Sequence, residues 1–202
     1  FDYLFDRLTY SKGSFVTKMF YDLIGEVKFF EVCNNYLLKF KHKSVDISDF
    51  ISCANSTLND DFSSFFDIWL KKYGFPVLIV TEIEKDGKNI AFDVVQESDG
   101  EFIFKFKVPI IYEKDGEIKK IEIIVDSKKV HVELEFDWIV VNHNFASLCF
   151  VIYSKKLLKL LAKPENAQRI GQLNREYISQ SINDENLYHL VDDEMKEITN
   201  DF

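Results

Sequence analysis

The chain is short of the residues that interrupt regular structure. It has only 7 Gly and 3 Pro among 202 residues, which argues for long elements and few loops, and no glycines cluster as a phosphate-cradling loop requires. Three cysteines, Cys33, Cys53 and Cys149, are too few and too scattered for a disulfide framework or a thiolate zinc cluster. They read as reduced, buried thiols, which favours the cytosol. A lone glycosylation sequon, Asn55-Ser56-Thr57, points the other way and leaves a secretory or endoplasmic-reticulum location open. Positive charge is scarce: 25 Lys and Arg stand against 34 Asp and Glu, a net of -9. The nets are -1 over 1–73, -6 over 74–154 and -2 over 155–202. With no basic patch interleaved with aromatics, a nucleic-acid partner is excluded. The longest apolar run, Phe145 to Tyr153, falls well short of the about 20 residues a membrane span needs. The N-terminus shows no signal-peptide pattern. The chain starts at Phe1 rather than Met and reads as a processed or excised piece.

What the chain does have is aromatic mass, 20 Phe among them, arranged at two different periods. Residues 1–73 read as four helices. Lys12 to Ile24 ends at Gly25; Glu26 to Phe40 carries Val27, Phe30, Asn34, Leu37 and Leu38 at helical spacing; Ser44 to Ala54 has Asp46 or Ser48 as N-cap; and Asp60 to Lys72 lines up Phe62, Phe65, Phe66 and Trp69. Gly74 and Pro76 stop helical structure. Residues 76–153 alternate with period two, as in Phe102, Phe104, Phe106, Val108 and Ile110. Three Asp-Gly pairs, at 86–87, 99–100 and 115–116, mark hairpins, because both turn residues need positive φ. Seven strands are expected: 77–84, 90–97, 102–112, 117–125, 129–136, 138–142 and 147–153. The fold class is therefore α+β, with a seven-stranded antiparallel β-sandwich between helical regions. Residues 155–202 return to helix, with Pro164 in a first turn, an apolar face through Ile170, Leu173, Tyr177 and Ile178, and an acidic amphipathic stretch from Asp184 to Phe202.

The residues alone point to no chemistry. Of the four histidines, His42, His131, His143 and His189, no two lie four apart and none opens an H-E-x-x-H. His131 and Glu133 share a strand face and could pair on a metal, but read better as solvated; His143 reads as a turn residue. There is no G-x-S-x-G and no Cys beside a His.

One segment goes further. Tyr10-Ser11-Lys12-Gly13, followed by an amphipathic helix, resembles the Tyr-x-Lys-Gly at the head of a helix in the zinc aminopeptidases of the gluzincin family (the aminopeptidase N, puromycin-sensitive and endoplasmic-reticulum types). The likeness continues in order through Phe29 to Leu38, Asp49-Phe50, Trp69 to Tyr73-Gly74-Phe75-Pro76-Val77-Leu78, Trp138 to Asn142, and Arg169 to Tyr177. The last strand departs. The family's Gly-Tyr-Tyr-Arg-Val-Asn-Tyr-Asp is here Ser147-Leu148-Cys149-Phe150-Val151-Ile152-Tyr153-Ser154, in which only Val151 and Tyr153 match.

The resemblance implies a C-terminal section of such an enzyme. Residues 1–73 would be the helical tail of a thermolysin-like catalytic domain, 74–154 the β-sandwich domain, and 155–202 the first helices of a C-terminal helical domain. The parent enzyme would remove N-terminal residues from peptides by zinc-activated water. Tyr10 would be the catalytic residue here, its phenol donating to the oxyanion formed at the scissile carbonyl. Lys12 would pair with a carboxylate or stay solvated, and Gly13 would permit close helix packing. The zinc motif and the segment that holds the substrate's amino terminus are not in this sequence, so the expectation is no zinc and no peptidase activity for the piece itself, with a missing N-terminal catalytic domain as partner and no membrane segment. The alternative is a non-catalytic β-sandwich binding or scaffolding module from a lineage that has lost peptidase activity, motivated by the altered strand at Ser147–Ser154.

Overall fold

The computed structural model describes residues 7–72, 74–98, 102–167, 169, 170 and 178. Helices come first: α1 (Arg7–Ile24), α2 (Glu26–Phe40), α3 (Ile47–Leu58) and α4 (Ser63–Lys71). Gly25 separates α1 from α2 at a φ of 87°, a conformation that an L side chain rarely adopts. Asp46 caps α3, accepting from the backbone N–H groups of Ser48 at 2.7 Å and Asp49 at 3.3 Å, while the Asp49 carboxylate accepts from Asp46 N–H in return. The left-handed Asn59 ends the helix.

The helices meet on Phe20. Its ring lies 4.9 Å from Phe66, 5.2 Å from Phe62 and 6.2 Å from Phe50, in tilted or edge-on arrangements that suit the ring quadrupoles. α2 corrects an expectation. The face it buries carries Val32, with Phe29 partly covered beside it, whereas Val27, Phe30, Leu37 and Leu38, on the stripe read as the buried face, are 82%, 58%, 68% and 69% exposed. The helix is apolar on both sides, and the sequence cannot say which side meets its neighbours.

Seven strands follow, β1 (Val77–Lys85), β2 (Lys88–Glu97), β3 (Phe106–Lys114), β4 (Glu117–Val125), β5 (Lys129–Phe136), β6 (Trp138–Val141) and β7 (Phe150–Tyr153), then α5 (Lys155–Leu161) and α6 (Pro164–Ala167). They form a four-stranded sheet, β5-β2-β1-β7, and a three-stranded sheet, β4-β3-β6. Asp86-Gly87 and Asp115-Gly116 turn the β1–β2 and β3–β4 hairpins, all four residues at φ between 52° and 80°.

Two expectations fail here. The sheets are not wholly antiparallel, since β7 runs parallel to β1, Val77 beside Phe150 through Val80 beside Tyr153. The expected strand at 102–112 begins only at Phe106. The backbone of Phe104, just before it, pairs instead with the buried Gln96 side chain, which accepts from its N–H at 2.7 Å and donates to its carbonyl at 3.0 Å. One primary amide takes the place of a ladder partner while the chain crosses between sheets. The third Asp-Gly pair, the acidic stretch 184–202 and the helix expected over 171–177 lie outside the described residues.

Most buried residues of both sheets and of the helices form one hydrophobic cluster, and Ile79, Val95 and Ile152 form a small second one. The Tyr153 hydroxyl ties the sheets, accepting from Val141 N–H at 3.0 Å and donating to its carbonyl at 3.1 Å. Trp69 of α4 joins the helices to the sheets, its ring 4.5 Å from Phe104 and 5.5 Å from Phe106.

Candidate functional site

α1 starts at least as early as Arg7, so Tyr10 stands inside the helix rather than ahead of it, and its ring is 62% exposed. Helical spacing puts Gly13 and Thr17 on the same face as Tyr10, while Val16, Met19 and Phe20 turn into the core. Gly13 contradicts its expected role: a Cβ there would meet nothing within 4 Å. Among the described residues nothing packs against it, and the face on which the phenol stands is open there. A groove of about 500 Å³ borders this face, walled by Val16, Phe29, Tyr36 and Phe50. Lys12 meets no carboxylate among the described residues. Its amine donates to the carbonyl of Lys72 at 3.4 Å, the residue that caps the C-terminus of α4, where a cation is favoured by the helix dipole. Lys12 therefore fastens α1 to the end of α4.

Among the described residues no group of three His, Cys, Asp or Glu side chains is placed to hold a metal ion. His131, read from the sequence as solvated, is engaged from the neighbouring strand. His131 Nδ1 lies 2.7 Å from Asp93 Oδ1 on the neighbouring strand, and Lys129 holds the other Asp93 oxygen at 2.9 Å. His143 sits in a short 3-10 turn, His143–Phe145, as the sequence suggested. The three cysteines are free; Cys53 and Cys149 are buried and Cys33 is half-buried. Burial raises the pKa of the Cys149 and Cys33 thiols, leaving both less nucleophilic than an open thiol. The described residues do not fit a zinc site.

The C-terminal segment is anchored by a group the spacing did not single out. Glu113, 8% exposed, accepts from the Trp138 indole and pairs with Arg169 Nη1 at 2.5 Å. Arg169 Nη2 also reaches the Gly116 carbonyl at 2.8 Å, gripping the β3–β4 turn.

An exposed tyrosine on an open helix face, next to a glycine and a lysine that closes two helices, is the geometry to set beside known proteins. Residues 1–69 match the Peptidase family M1 domain. Over these residues the chain is similar to the M1 aminopeptidases. It is similar to "Probable aminopeptidase 1" of Sulfurisphaera tokodaii, 26% identical over 174 residues, which is 85% of this chain and 22% of that protein. It is also similar to pig (Sus scrofa) glutamyl aminopeptidase, 35% identical over 80 residues, 40% of this chain and 8% of that one. The fold is that of Legionella pneumophila aminopeptidase A, solved in complex with aspartic acid, with a TM-score of 0.65 at 19% identity over 83% of this chain and 21% of that one. The chain thus spans about a fifth of the length of the first relatives it matches. The M1 match covers α1 to α3 and most of α4, and so includes Tyr10. No helix among the described residues is long and apolar enough to cross a membrane.

Proposed function

We propose that this chain is part of a zinc-dependent M1 aminopeptidase and that Tyr10 is its contribution to catalysis. The carrying observation is the placement of Tyr10: exposed, on a helix within the M1 match, beside the unfilled space at Gly13. A phenol keeps its proton at neutral pH and can donate it in a hydrogen bond. Aimed at the oxygen of a scissile carbonyl, it binds more strongly as that oxygen gains charge, which is the condition for lowering a barrier. Lys12 and the Phe20 cluster hold in place the helix that carries the donor.

The division of labour we infer is 1–73 as the helical end of the catalytic domain, 74–154 as the β-sandwich domain and 155–202 as the start of a helical domain, with peptides as substrates of the whole and the cytoplasm as its compartment. This chain alone is inactive on that reading. Incubation with zinc and an aminoacyl reporter should give no hydrolysis above background, and zinc titration should show no tight one-to-one binding. Either one appearing overturns the inference.

The second reading, a sandwich module without catalysis, has one observation in its favour. Phe150 stands where the family has Arg, is 49% exposed, and packs its ring 4.9 Å from Phe75 instead of offering a charge to a neighbour. The coding sequence upstream of Phe1 separates the two: an intact H-E-x-x-H supports the enzyme and a degenerate one the module.

A further inference from the structure

The two sheets end in four edge strands, β5 and β7 on one and β4 and β6 on the other. β6 and β7 have four residues each, and the Tyr153 hydroxyl ties them together. β4 is longer and barer. It runs for 9 residues, six of them exposed, and among the described residues it pairs only with β3. An unpaired strand edge offers a row of free N–H and C=O groups, a template for another strand.

Pairing with β3 fixes which β4 side chains share a face. Ile121, Ile123 and Val125 stand beside the buried Ile110, Val108 and Phe106, and so face the core. Ile118, Lys120, Glu122 and Ile124 lie on the other face. Both of these isoleucines are exposed, Ile118 by 42% and Ile124 by 47%.

The order on that face is apolar, cation, anion, apolar, which is its own complement. A twofold axis through Ile121 sets Ile118 of one copy opposite Ile124 of the other, and Lys120 opposite Glu122, each pair occurring twice. Sliding one strand by two residues sets Lys120 against Lys120 or Glu122 against Glu122, and leaves an isoleucine opposite a charge. Like charges directly opposite destabilise a ladder, so the pattern selects one register.

The charges are available for such pairing. β4 holds two Lys and two Glu, a net of zero inside a stretch of net -6. Lys120 forms no ion pair among the described residues, and Glu122 reaches only Lys107, at 4.0 Å. The long edge of the other sheet differs. On β5, Lys129 and His131 are engaged by Asp93, and Glu135 by Lys114.

We propose that β4 is an association edge whose partner is β4 of a second copy of this chain, antiparallel and centred on Ile121, so that two three-stranded sheets become one. The inference goes beyond the aminopeptidase reading and does not rest on it, because no residue of β4 belongs to the Tyr10 helix or its groove.

Sedimentation equilibrium of the 202-residue chain should show a reversible monomer–dimer exchange. Lys120→Glu brings two carboxylates together at both charge pairs, and Glu122→Lys brings two ammonium groups together. Both positions are exposed, so neither change disturbs the fold. Each should weaken dimerisation by about tenfold, the effect of two opposed pairs. The double variant restores both pairs in exchanged order and should dimerise like the wild type. Mixing the two single variants should yield heterodimers in preference to either homodimer, since only the mixed pair meets cation with anion throughout. Phe30→Glu with Leu37→Lys and Leu38→Glu, on the exposed stripe of α2, should leave the dimer intact. A monomer at every concentration overturns the proposal. So does a dimer indifferent to the charge changes, a mixture without heterodimers, or a dimer lost with the α2 variant.

Discussion

The helical and sheet regions differ in how completely they bury themselves. Strands β1 to β7 bring Leu78, Val80, Phe92, Val94, Val108, Ile139 and Val140 to 0% exposure, and Tyr153 links the two sheets through both of its hydrogen-bonding functions. The helices close only one side. Phe20, Val32, Phe66 and Trp69 are buried, yet Val27, Phe30, Leu37, Leu38, Val45, Ile47 and Leu70 are exposed. An apolar stripe along one helix is more than scattered surface leucines, and a surface of that kind marks contact with something else. Among the described large apolar side chains the strands leave exposed only Ile118, Ile124 and Phe150, whereas the helices carry a wider open face, and the tyrosine proposed for catalysis stands on that side of the molecule. That agrees with a chain matching about a fifth of the length of its first relatives.

This contrast can be broken from either side. The largest change should come from Tyr153→Phe, which keeps the ring and strands Val141 N–H and C=O between the sheets. A loss of about 1–3 kcal/mol is expected in denaturant unfolding, the cost of leaving buried polar groups unpaired. A loss near zero would mean that the sheets are not joined there. Acid should then act on the helices first. Asp46 is held below the ordinary carboxylate range by hydrogen bonds from the Ser48 side chain and backbone, and Asp61 by those from Ser63. A lowered folded pKa contributes stability that is complete above the ordinary aspartate pKa and disappears as pH falls through the lowered value. Hydrogen exchange should therefore show α3 and α4 loosening below the normal aspartate range while the β1–β2 ladder stays protected. Simultaneous loosening would contradict the picture of two unequal regions. The smallest effect on stability, within about 0.5 kcal/mol, should come from Phe30→Glu with Leu37→Lys and Leu38→Glu, which alter exposed positions only. The same variant should lose most of its binding of a hydrophobic dye. Unchanged dye binding would place the open face elsewhere.

Much of the fold was legible because the signals were local. α2 has its expected bounds since Gly25 breaks the chain ahead of it, and β4 and β5 have theirs because an Asp-Gly turn and clean alternation define them. The losses came wherever a distant partner decided the outcome. Phe102 to Phe104 alternates like a strand, but the Gln96 amide occupies its backbone. β7 looks like any short apolar strand, and only the path of the chain makes it parallel to β1. Two faces of α2 are equally apolar, so the buried one could not be chosen from spacing. The proposal for Tyr10 comes from resemblance and not from chemistry, because one tyrosine at a helical position has no pattern of its own.

The central claim rests on Tyr10, and Tyr10→Phe in a polypeptide extended upstream of Phe1 to include an H-E-x-x-H motif tests it most directly. That exchange removes one hydroxyl from an exposed side chain and should leave stability and KM close to wild type. If the phenol donates to the oxyanion, kcat on an aminoacyl substrate falls by about 10²–10³-fold, as for loss of a single oxyanion donor. A kcat close to wild type would contradict the account.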